Sequence, residues 1–372
     1  MVMKLYDTAR QAVVDFTPDP TVKMYTCGIT PYDSAHIGHV AAYLTYDVLQ
    51  RRLRDMGHDT QCVRNVTDVD DDILRKAREV GVYYLDLAAE EIAKFDSAME
   101  ALGLIPSFSE PRATSAIPDI LGFIGMVLDS GHAYQAGGAV YFSVDSWPKF
   151  GEVSNYSREQ MLTYARERGG NVDDPNKKDP LDFVLWQPSA DDEPWWESLW
   201  GRGRPGWHIE CSALAMRELG ETIDLHGGGG DLIFPHHECE AAQSEAATGA
   251  PFVRHWMHQG MVRLDGEKMS KSLGNLVFAE HLLKEWEPAA VRLACLDNHY
   301  RPGWDWNDRL MPDATTRLAA WREQGEGDAA LDDVRACLDD DLDTPGAIAA
   351  IDAAAKAGHG VSAGAKLLGV TL

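Results

Sequence analysis

Four residues of this chain carry donor atoms that a borderline-soft divalent metal prefers: Cys27, Cys211, His236 and Glu240. His236 and Glu240 are four apart, which on a helix places both side chains on one face. Cys27 ends an apolar run, Val22-Lys23-Met24-Tyr25-Thr26, that reads as a buried strand. Cys211 falls near the start of a helix after Trp207-His208-Ile209-Glu210. Strand ends and helix starts converge at one edge of a parallel sheet. Two thiolates, an imidazole and a carboxylate meeting there suit tetrahedral Zn²⁺. The same residues also read as four ordinary positions, because a discontinuous set has no spacing code like paired Cys-x-x-Cys. His237, Glu238 and Cys239 are nearby competitors, with Cys239 the less apt ligand.

Two other segments have the look of phosphate chemistry. His36 and His39 lie three apart at the expected start of a helix, where backbone N–H groups favour phosphate oxygens and imidazoles add donors. Gly38 between them leaves room for a close approach. Lys268-Met269-Ser270-Lys271-Ser272 lies between Gly266 and Gly274. It offers two ammonium groups and two hydroxyls on a loop able to close on a triphosphate. Taken alone, two histidines on a helix are more often surface residues, and the lysine loop reads equally as solvent-exposed surface. Gly227 to Gly230, followed by Asp231, follows a strand; it fits either a backbone approach to adenosine or a flexible turn. Trp207 fits a pocket wall or plain core.

The elements that must position these groups alternate. Residues 22–27 and 61–66 read as strands, with a helix from about His36 to Met56 between them and Gly57 as its stop. That alternation predicts a parallel sheet with crossover helices. Helical patterns run on to about 103, and a Pro/Ser-rich break follows at 105–111. Residues 112–204 read as an insertion with a strand at 139–144. Trp207 to Leu219 returns to the first sheet, Thr222 to Leu225 reads as a strand, and a helix starts near Pro235. Helices are expected at 278–286, at 289–298 and over most of 308–355, with a fraying tail from Ala355 to Leu372. The expected organisation is a Rossmann-like α/β catalytic domain (1–111 and 205–276), an inserted α+β region (112–204) and a C-terminal helical domain (277–372).

Composition narrows the function class. The chain has 372 residues and six cysteines, too few for a disulfide framework at this length. No run of about 18 apolar residues marks a membrane span, and the first residues do not read as a secretory signal. A cytoplasmic location is expected. The net charge of −25 weighs against a large nucleic-acid footprint.

Assembled, these segments resemble the class I aminoacyl-tRNA synthetase core, and within it the cysteinyl-tRNA synthetase branch. The matching pieces are Cys27-Gly28, His36-Ile37-Gly38-His39, Asn65 to Asp71, Gly206 to Ser212, Phe234 to Glu238 and Lys268 to Ser272, in the family's order. Within that branch the chain is similar to the mycothiol-pathway cysteine ligases. Gly28-Ile29-Thr30-Pro31-Tyr32-Asp33 differs from the synthetases' usual Gly-Pro-Thr-Val-Tyr-Asp. Glu167 to Gly170, Arg204 to His208 and Asp340 to Pro345 look like the ligase. Only 100 residues follow Ser272, short for holding a tRNA. Two positions go the other way: His226 and Glu240 match the synthetases. Ala42 stands where the ligases tend to have Thr.

The resemblance implies ATP-dependent joining of L-cysteine to the amine of glucosaminyl-inositol through a cysteinyl-adenylate, without tRNA or membrane, by a monomer. It implies one Zn²⁺ on Cys27, Cys211, His236 and Glu240, and Mg²⁺ accompanying ATP. His36, His39, Lys268 and Lys271 would serve the phosphates. Thr30, Thr67 and Trp207 would shape the amino-acid pocket. Gly28, Ile29, Gly38, Asn65, Val66, Gly229, Gly230, Asp231, Val262, Met269 and Ser270 would complete the pocket for substrate and adenylate.

Overall fold

In the computed structural model, residues 2–269 and 274–372 are described. Four strands form a parallel sheet: β1 (Thr21–Ile29), β2 (Asp59–Val66), β3 (Leu225–Gly229) and β4 (Trp256–Gln259). Their order is β4-β3-β1-β2. The chain leaves β1 for β2 on one side and adds β3 on the other, so the topological switch lies between β1 and β3. Ligands of such sheets bind at the strands' carboxyl ends, at that switch.

The sheet is covered on both faces, which is why β1 reads as a near-continuous apolar run. Met24 enters the core shared with α1 (Ile37–Asp55), while its neighbour Tyr25 enters the core shared with α2 (Trp207–Leu219) and α3 (Glu238–Thr248). Successive residues on a strand point to opposite faces, so the split follows from the pleat.

Several expectations shift. The glycine run is the strand itself, not a loop after it: β3 carries Gly227 to Gly229 in register with Met257 to Gln259. The reason is close packing. A Cβ on Gly227 would lie 2.4 Å from the Tyr46 ring of α1. The Tyr46 hydroxyl accepts from the Gly228 N–H at 2.6 Å and lies 2.9 Å from the Met257 carbonyl. Residues 308–355 form three helices, Leu310–Gln324, Leu331–Asp339 and Thr344–Lys356, rather than one. The tail does not fray. Helix Ser362–Leu367 and its flanks bury Val361, Ala365 and Leu368 completely. A buried Arg292 donates to the Leu368 carbonyl at 2.7 Å and pairs with Asp47 of α1, fastening the tail to the sheet's cover.

The insertion carries an antiparallel sheet of strands Ala133–Ala136, Ala139–Phe142, Phe183–Pro188 and Gly203–Pro205. Its first hairpin turns on Gly137 and Gly138, both at positive φ. No helix among the described residues is long and apolar enough to cross a membrane.

Candidate active site and metal centre

Cys27 reaches the site through an irregularity in its strand. Thr26 pairs with Arg64 and Ile29 with Val66, so Cys27 and Gly28 together oppose Asn65. A bulge of this kind re-aims a side chain. Gly28 is required there, since a Cβ would lie 1.5 Å from the Asn65 carbonyl oxygen. The Asn65 side chain locks the bulge: its Oδ1 accepts from the Gly28 N–H at 2.8 Å, and its Nδ2 donates to Thr67 Oγ1 at 3.1 Å. Asn65, Val66 and Thr67 are buried and do not line the cleft. They stand behind its wall, rather than forming the pocket surface expected of them.

Cys27, Cys211, His236 and Glu240 converge, with one donor atom from each within 4.8 Å of the others and all four buried. His236 Nε2 lies 3.0 Å from Glu240 Oε1 and 3.4 Å from Cys211 Sγ. Cys27 Sγ lies 3.6 Å from the same carboxylate oxygen. A second set overlaps the first: Cys27, His226, His237 and Glu240. His237 Nε2 lies 3.2 Å from Cys27 Sγ. Cys239 is buried but belongs to neither set.

Both imidazoles are oriented from behind, as metal-binding histidines are. His236 Nδ1 shares a hydrogen bond of 2.9 Å with His208 Nδ1, and the Trp207 ring stacks on His236 at 4.0 Å. His237 Nδ1 meets His258 Nε2 at 2.7 Å, and His258 Nδ1 meets Thr8 Oγ1 at 2.7 Å. Burial pushes the Cys27 and Cys211 thiols up and the two imidazoles down. Two thiolates in this space therefore need a cation to offset the lost hydration. The donor set fits a zinc-type ion. The sequence placed His208 in a matching segment without a role and did not single out His258; the position of His258 near the end of β4, at the same sheet edge, was the available signal.

In front of this group lies a cleft of about 1010 Å³ between the carboxyl edge of the sheet and the insertion. Cys27, Gly28, Ile29 and Thr30 line it, as do His36, Gly38, His39 and Trp207. So do Gly229, Asp231, Val262 and Met269. Gly230 instead ties its N–H to the Gln259 carbonyl at 2.7 Å. His36 and His39 cap α1 reciprocally: His36 Nδ1 accepts from the Gly38 N–H at 3.1 Å, and His39 Nδ1 accepts from the His36 N–H at 3.4 Å. Their rings stack at 3.9 Å. The helix start thus faces the cleft with two imidazoles folded over it. Lys268 ends the short strand Glu267–Lys268, paired with Arg263. Ser270 and Lys271 lie outside the described residues.

The family model for the class I (C) tRNA synthetase catalytic domain matches residues 14–316, so the chain belongs to that family. The same fold is seen in methionyl-tRNA synthetase of Mycobacterium tuberculosis with methionyl-adenylate, at TM-score 0.67 and 17% identity over 90% of this chain and 83% of that one. Within the family the chain groups with proteins named L-cysteine:1D-myo-inositol 2-amino-2-deoxy-alpha-D-glucopyranoside ligase. That of Nocardiopsis dassonvillei is 49% identical over 94% of this chain and 88% of its own length. That of Streptosporangium roseum is 46% identical over 98% and 92%.

Proposed function

We propose that this enzyme joins L-cysteine to the amine of glucosaminyl-inositol at the expense of ATP, a step of mycothiol assembly. The observation that carries the reading is near-full-length identity of 46–49% to ligases of that name, together with a buried group of thiols, imidazole and carboxylate whose Cys27 lines the cleft. In the first step a cysteine carboxylate oxygen attacks the α-phosphorus and pyrophosphate leaves. In the second, the amine of the amino sugar attacks the acyl carbon. AMP leaves, the amine loses a proton, and an amide remains.

Cys27, Cys211, His236 and Glu240 would hold Zn²⁺. The ion would supply a soft partner that favours the substrate's sulfur over a serine hydroxyl. Trp207, stacked on His236, would wall the amino-acid pocket, with Thr30 beside it. The start of α1, with His36 and His39, would take phosphate oxygens, and Lys268 and Lys271 would offset charge on the departing pyrophosphate. Gly229 and Asp231 would meet the adenosine, with Mg²⁺ accompanying the ATP phosphates. Segments 1–111 and 205–276 would form the catalytic domain.

The test supplies ATP, labelled cysteine and either glucosaminyl-inositol or tRNA. The expected products are the amide, AMP and pyrophosphate from the amino sugar alone. Charging of tRNA with no amide formed would overturn the reading.

A further inference from the structure

The cleft is larger than one activated amino acid needs. Binding pockets for small molecules run to roughly 300–1,000 Å³, and this one reaches about 1010 Å³. Its far wall belongs to the insertion, and no step described so far uses it. Two polar side chains on that wall stand out because neither has a hydrogen-bond or ion-pair partner among the described residues.

Lys177 is half-buried and lines the cleft. Its ammonium makes no hydrogen bond or ion pair among the described residues, although three carboxylates lie near enough to act on its charge. Each of those is committed elsewhere. Asp174 accepts from the Tyr141 hydroxyl at 2.7 Å and from the Asn176 N–H at 2.9 Å. Asp182 accepts from the Tyr134 hydroxyl at 2.7 Å and the Val144 N–H at 2.8 Å. Asp179 pairs with Arg158 at 2.5 Å. Burial pulls the Lys177 ammonium below the usual lysine range. His208 lines the same cleft, near enough for the Lys177 charge to act on it. Gln187, on strand Phe183–Pro188, lines the same wall, and its side-chain amide has no partner among the described residues.

A partly desolvated cation with three donors and no acceptor suits oxygen-rich neutral molecules. It disfavours a second cation, so a substrate amine beside it is kept in the unprotonated form that attacks a carbonyl. We propose that Lys177 and Gln187 form the seat of the acceptor, binding hydroxyls of an amine-bearing polyol on the insertion side of the cleft. This rests on the ligase reading above.

The experiment uses the full-length, metal-loaded protein as wild type, Lys177→Met and Gln187→Ala. Two rates are measured: cysteine-dependent ATP–pyrophosphate exchange, and amide formation against glucosaminyl-inositol concentration. In Lys177→Met the KM for the amino sugar should rise about ten- to hundredfold, the loss of a hydrogen bond from a charged donor. The rise in Gln187→Ala should be smaller. The KM values for ATP and cysteine in the exchange reaction should stay put. An unchanged acceptor KM in Lys177→Met overturns the assignment, and so does a parallel loss of exchange, which would move Lys177 to the activation step. A wild type that exchanges yet forms no amide would instead sink the ligase reading, and this seat with it.

Discussion

Glu240 divides its two oxygens. Oε1 lies among the cysteine and histidine donors, and Oε2 lies 3.0 Å from His226 Nε2. His226 is wholly buried, and its Nδ1 has no partner among the described residues. His226 and Glu240, the two residues expected to match the synthetases, are therefore a hydrogen-bonded pair. The imidazole at 226 gives the buried carboxylate a donor. Glu240→Gln should weaken metal binding about ten- to hundredfold, the effect typical of disturbing a metal site's supporting contacts. Competition with a chromophoric chelator measures it; unchanged metal affinity would remove Glu240 from the ligand set. The ligand types were legible in the chain because Cys, His and Glu announce their chemistry. The choice between two overlapping sets was not legible. His226 and His237 are separated from Cys27 by about 200 positions, and only the folded sheet brings them near.

Among the elements, the bulge in β1 bears most on the site. Gly28→Ala would drive a methyl into the Asn65 carbonyl, costing about 1–3 kcal/mol of overpacking and turning Cys27 away. Denaturant unfolding and metal content should fall together; a stable variant with full metal content would contradict this role. The fastening of the C-terminal helix gives a second test. Arg292→Met takes one of two counter-charges from buried Asp47, which keeps Arg51 at 2.7 Å, so the loss should reach at most the about 3–5 kcal/mol of breaking an unshared buried pair. Unfolding of the variant monitored by circular dichroism reads that loss, and a change under 1 kcal/mol, about a fivefold shift in equilibrium, would contradict it. Strands β1 and β2 and helix α1 were readable from apolar runs, the His36 start and the Gly57 stop. β3 was not. Glycine-rich composition signals a turn, and here it serves the approach of Tyr46 to the strand. The tail's Ala and Gly content likewise hid helices packed in the core.

For the molecule as a whole, buried neutral histidines set an acid limit. Burial pushes His208 and His258 down to about 3 from an ordinary 6.5. The unfolded chain then takes up protons first as pH falls. The stability these groups contribute is intact above about 6.5 and is lost progressively toward about 3. With chelator present throughout, so that metal release plays no part, the Tm of the parent should drop between these values, and His258→Gln should show a shallower drop. Equal slopes would contradict the assignment of a neutral ring. The central claim is that the protein selects its amino acid through sulfur while activating the carboxylate. ATP–pyrophosphate exchange by metal-loaded protein, with cysteine or serine as the only amino acid, tests it most directly. The expected result is exchange with cysteine and a rate with serine lower by about 10⁴-fold or more. Comparable rates with the two amino acids would contradict the account.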